Sequence, residues 1–89
     1  MPGVSDQPRF RARIRVTLRP GIHDPQGVVV ERSLTSLDYP VREVRIGKYV
    51  ELEVTGAEAD ARARVEAMCR DLLANPVIER YEFDLEALA

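Results

Sequence analysis

From Phe10 to Arg19 apolar and polar residues alternate without a break over ten positions. Phe10, Ala12, Ile14, Val16 and Leu18 fall on one side, and Arg11, Arg13, Arg15, Thr17 and Arg19 on the other. A period of two held that long describes a strand with one face on a core and one in water. Such a strand commits the chain to a sheet, and the sheet needs a second layer over its apolar face. With 89 residues the chain has room for one domain, which buries roughly 60–65% of the surface its unfolded form exposes. An enclosed catalytic pocket of about 300 Å³ consumes much of so thin a core. Association with a copy or a partner is the more direct way to bury additional surface.

The rest of the chain supplies the second layer. Arg19–His23 reads as a turn around Pro20-Gly21, and Asp24-Pro25 as a helix start, Asp24 accepting from free amides and Pro25 having no N–H to lose. Gly27, Val30, Leu34 and Leu37 then share a helical face, with Gly27 marking the close approach of another backbone, and the helix ends near Asp38, before Tyr39-Pro40. In Val41–Val54 the apolar residues Val44, Ile46, Val50, Leu52 and Val54 all sit at even positions. That unbroken phase argues against a two-residue hairpin centred on Gly47-Lys48 and fits one long strand, bent at Gly47, or a three-residue hairpin, the long strand being preferred. Such a strand spans roughly 45 Å, more than the domain covers alone, and is suited to being shared in a homodimer.

Thr55-Gly56-Ala57-Glu58 has the form of a capping box. The helix behind it presents Ala61, Val65, Met68 and Leu72 to the core and the pairs Glu58/Arg62, Arg62/Glu66 and Glu66/Arg70 to water. Asn75-Pro76 closes it, with Asn75 in left-handed geometry, and Val77, Tyr81, Phe83 and Leu85 mark a last strand. The order β-α-β-α-β, or β-α-β-β-α-β if the middle strand folds back, predicts an α+β two-layer sandwich related to the ferredoxin-like arrangement. Its sheet is mostly antiparallel, with two helices on one face. Met1–Arg9, rich in Pro, Gly and polar residues, reads as a disordered or loose leader, and residues 10–89 as the single domain.

Thirteen basic and 15 acidic residues give a net charge of −2, without the positive excess of a general nucleic-acid binder. No apolar run exceeds three residues, as at Val28–Val30, so neither a signal sequence nor a membrane span is expected. The single cysteine forms no internal disulfide, and the expected compartment is the cytoplasm. The arginines Arg11, Arg13, Arg15 and Arg19 either bind an anion or acidic partner, or are neutralised across the sheet by Glu43, Glu51, Glu53, Glu82 and Asp84. His23 has no identifiable nucleophile or orienting acid beside it, and Cys69 reads as a buried, inert thiol. Metal-ligand spacings and phosphate-binding glycine motifs are lacking, so neither catalytic residues nor a cofactor or metal site is expected.

Three segments together carry a resemblance: Val16–Gly27 (VTLRPGIHDPQG), Val44–Glu53 (VRIGKYVELE) and Met68–Tyr81 (MCRDLLANPVIERY). Their D-P-Q-G, R-x-G-K and L-x-N-P-V-I elements are specific as a set, and from Phe10 to Leu85 the chain resembles the PurS family. PurS is the small subunit of multi-subunit phosphoribosylformylglycinamidine (FGAM) synthase. The complex makes FGAM from formylglycinamide ribonucleotide, ATP and glutamine, releasing ADP, phosphate and glutamate.

The resemblance implies a non-catalytic scaffold, a homodimer or homotetramer, joining the synthetase subunit PurL to the glutaminase subunit PurQ so that ammonia passes between them. ATP and Mg then belong to the complex, and neither nucleic acid nor membrane is a partner. The residues of the matching segments that the fold does not fully explain are the expected partner contacts. These are Arg19, His23 and Gln26 near the first turn, Arg45, Lys48 and Tyr49 in the middle segment, and Asn75. The alternative from another class is an ACT-like module that senses a small molecule.

Overall fold

The computed structural model describes residues 7–89; the proposed leader, for Met1–Asp6, lies outside the described residues. Five elements follow in the expected order: β1 (Arg9–Leu18), α1 (Pro25–Ser36), β2 (Lys48–Thr55), α2 (Glu58–Met68) and β3 (Glu79–Leu88). The strands form one antiparallel sheet in the order β2-β1-β3. β1 begins one residue earlier than expected, and the carbonyl of Pro8 already accepts from the Gly56 amide at 3.0 Å. The described chain contains no helix long and apolar enough to cross a membrane.

The core sits between the sheet and α2. Phe10, Ala12, Ile14 and Val16 of β1 pack with Val54 of β2 and with Ala61, Val65 and Cys69. Burying a side chain such as Ile14 or Val65, both fully enclosed, contributes roughly 1.5–3 kcal/mol. Beyond Met68 the helix widens into a π-helical turn, Cys69–Leu73. That turn corrects only the end of the expected apolar stripe: Ala61 and Val65 are buried with Cys69 and Met68 packs partly against them, while Leu72 is carried round to 82% exposure. The capping box does not form either. Thr55 still belongs to β2, two residues before the N-cap Ala57, which has no side-chain bond; the Thr55 carbonyl instead accepts from Arg64 Nη1 at 2.8 Å. Of the three expected ion pairs along α2 only Glu58–Arg62 forms, at 3.8 Å. Glu66 instead accepts from the Tyr81 hydroxyl, and Arg62 lies over the Phe83 ring.

The long middle strand is also corrected. β2 begins at Lys48, and Val41–Gly47 crosses to it as irregular chain. Glu43 adopts a left-handed φ of 55°. The Val44 and Ile46 amides donate to side chains of the α1 region, Glu31 Oε1 at 3.2 Å and Asp24 Oδ2 at 2.8 Å, instead of to a strand. Gly47 is neither a strand bend nor a hairpin turn but the last residue before β2. There a Cβ would come within 2.5 Å of the Val16 carbonyl oxygen.

α1 starts as expected, with Asp24 Oδ1 accepting from the Gly27 amide at 2.8 Å and Pro25 in the first turn. It ends at Ser36, Asp38 taking a left-handed φ of 70°. A Cβ on Gly27 would run into the Val44 carbonyl, which is the close approach the sequence suggested. The helix does not, however, join the core. Gly27 is its one buried residue, while Val29 and the following Leu37 stay largely exposed.

Candidate functional site

The outer face of the sheet is filled by charge. Arg9 pairs with Glu53, Arg11 with Glu51 and Glu53, Arg13 with Asp84 and Glu86, and Arg15 with Glu82 and Asp84. The strand register places Arg11 and Arg13 between carboxylates of both flanking strands, and Arg15 between Tyr49 of β2 and Glu82 of β3. Of the two uses open to the row, neutralisation within the sheet is the one realised. The bond that the Arg13 guanidinium donates to Glu86 raises its pKa further. Glu43 and Arg19 are outside this ladder, because Glu43 lies in the link before β2 and Arg19 has turned away.

Arg19 donates through Nε and Nη2 to the Pro76 carbonyl at 3.1 and 2.9 Å, and its backbone amide donates to the Ile78 carbonyl. That ties it to the turn holding Asn75. Asn75 is not the left-handed helix end expected of it. Its Oδ1 accepts from the Val77 amide at 3.1 Å and its own amide donates to Glu79 Oε1, so it stabilises the turn into β3. Arg45 donates from Nη2 to the Arg19 carbonyl at 3.3 Å. Lys48 opens β2 opposite Val16. His23 is exposed in the link before α1, and Gln26 is exposed in the first turn of that helix. Tyr49 alone turns back along the outer face. Its hydroxyl donates to Glu51 Oε2 at 2.8 Å, which raises its pKa. The sheet thus gathers Arg19, Arg45, Lys48 and Asn75 at the end where β1 finishes and β2 and β3 begin.

Two members of this end escaped the sequence reading. Arg80 pairs across from Thr17, one step past the last charged pair. The signal for it was the register, which needs the sheet. Asp24, read as a helix cap, has a second partner: while Oδ1 serves α1, Oδ2 accepts from Ile46. These two backbone amides, Ile46 first, hold its carboxyl below the usual aspartate value although burial opposes this. Cys69 is buried, and burial pushes its thiol pKa up, away from the thiolate that chemistry would need. Among the described residues, acids, histidine and cysteine form no group of three that could hold a metal ion. What the geometry offers is a polar surface for contact, at one end of a sheet whose outer face is self-neutralised.

A family model described as PurS, phosphoribosylformylglycinamidine (FGAM) synthase, matches residues 11–87. The FGAM synthase subunit PurS of Synechocystis is 48% identical over 81 residues, 89% of this chain and 81% of that protein. The crystal structure of the PurS subunit from Thermotoga maritima superposes with a TM-score of 0.84 at 36% identity, covering 90% of this chain and 94% of the other. A chain of the PurLQS structure from the same organism gives a TM-score of 0.82 at 37% identity, covering 89% and 99%. The match runs from the first strand to the last and takes in the turn, cap and link that build the polar end. This chain therefore belongs to the PurS family.

Proposed function

We propose that the chain is the small subunit of an FGAM synthase in purine biosynthesis. As a structural subunit it joins PurL to PurQ and supports the passage of ammonia from glutaminase to synthetase. The observation that carries this reading is the match, along nearly the whole chain, to a PurS chain and to one within a PurLQS structure. The shape agrees with it. A radius of gyration of 17.4 Å, against about 12 Å for a compact chain of this length, describes an elongated body. Pro25, Val29, Val30 and Ile46 line an open apolar groove along its α1 side.

In this reading a second copy covers that groove, giving a homodimer or, by further pairing, a homotetramer. Arg19, His23, Gln26, Arg45, Lys48, Tyr49 and Asn75 meet the larger subunits. ATP and Mg are held elsewhere in the complex, which works in the cytoplasm. The test is reconstitution with the synthetase and glutaminase subunits, assaying FGAM formation with glutamine and, separately, with ammonium. Omitting this chain is expected to abolish the glutamine reaction and spare the ammonium one. Equal rates with and without it in both assays overturn the proposal.

A further inference from the structure

We infer that the cationic end of the sheet, formed by Arg45, Lys48 and Arg80 around Arg19, is an electrostatic docking site for an acidic surface on one of the larger subunits. This rests on the scaffold reading above and assigns the chemistry of one contact within it.

The observation is an asymmetry of charge along β1. Every arginine from Arg9 to Arg15 has a carboxylate partner. Past Arg15 the pairing stops: no ion pair is formed by Arg19, Arg45, Lys48 or Arg80 with a described carboxylate. All four are exposed. Asp24 bears on Arg45 through its charge, yet both its oxygens are spent on backbone amides. The sheet order sets Lys48 and Arg80 on the strands flanking β1, about 10 Å apart, two strand spacings. Their registers, opposite Val16 and Thr17, put them on opposite faces of the sheet. Arg19 and Arg45 close the end between them, linked through the Arg19 carbonyl.

This spread decides the kind of partner. A phosphate site focuses donors on one point, whereas here the cations wrap an edge and look outward on both faces. That suits an extended acidic surface, where complementary charge speeds association and fixes orientation. A second copy of the chain is a poor complement. Its exposed carboxylates outside ion pairs include Asp38, Glu43, Asp60 and Asp71, which are scattered over the link before β2 and two separate turns of the α2 region.

The test compares the wild-type chain with the triple variant R45A/K48A/R80A, binding to the PurL and PurQ subunits at low and high salt. R70E, a charge change on the exposed π-helical turn, serves as control. Arg19 is left in place because it holds the Asn75 turn. The triple variant is expected to keep its thermal melt and self-association, to associate about ten- to a hundredfold more slowly at low salt, and to lose most of the salt dependence. R70E should match wild type. Unchanged rate and salt slope in the triple variant overturn the inference while leaving the scaffold reading standing. A variant that loses self-association instead assigns the cations to a second copy, and binding of free phosphate by wild type that the triple variant lacks, at millimolar phosphate or below, assigns them to a small anion; either overturns it. If wild type binds neither subunit under any salt condition, both readings fall together.

Discussion

The two helices are nearly equal in length, 12 residues in α1 and 11 in α2, and are held in place by different forces. α2 lies on the sheet through Ala61 and Val65, with Cys69 extending the same buried row. α1 contributes nothing but Gly27 to the interior and is fixed by polar ties, Asp24 to Ile46 and Glu31 to Val44. Its Val29, at 61% exposure, is left open. Apolar burial thus fixes α2 to the sheet, with Leu72 of the π-helical turn left outside, while α1 is held by polar ties and leaves its apolar side open.

Four substitutions break or sharpen that contrast. The largest effect belongs to Val65→Asp, which puts an unpaired charge into the core and is expected to abolish the cooperative thermal melt followed by circular dichroism. Val29→Asp is expected to leave the monomer's helix content intact but to shift sedimentation toward a single copy; a folded, still self-associated variant would mean that α1 is covered by another subunit. Asp24→Asn removes an acceptor from one of two amides, Gly27 or Ile46, and is expected to lower the melting temperature at neutral pH by roughly 5 °C or more.

Its pH dependence follows from the sign of the shift. The carboxyl is held below its unfolded value of about 3.9, so its contribution is fully present above that pH and is lost as pH falls through the folded value. The gap between wild type and variant should therefore close below about pH 4, and a gap constant across that range would contradict the clamp. Smallest is Arg11→Ala. Its two ion pairs, at 3.7 and 3.8 Å, are exposed, and removing them should cost less than about 1 kcal/mol in chemical unfolding, a difference that shrinks further in salt.

How much of this could be read from the sequence depended on whether a residue's partners were local. The alternation in β1 and the Asp24-Pro25 helix start are local signals, and both elements stand where they were expected. The even-position run from Val44 to Val54 misled because parity does not reveal which partner takes the amides. Val44 and Ile46 keep the phase of β2 but bond to side chains far back in the chain. After α2 the π-helical turn winds more residues into each turn, so Leu72, which a stripe counted at the ordinary helical repeat turns inward, is carried out to solvent. For the candidate site, individual residues such as Arg19, Arg45 and Lys48 were visible. Their gathering at one end was not, because it is set by strand register. Arg80 was hidden for the same reason.

The charged ladder covers the outside of the sheet from Arg9 to Arg15. Since its arginines and carboxylates satisfy one another, that surface gains little from being covered and loses hydration if it is. A contact that leaves the Arg11–Arg15 stretch in water therefore costs less than one laid across it, which favours the end of the sheet, where Tyr49 and Arg80 lie, over its middle.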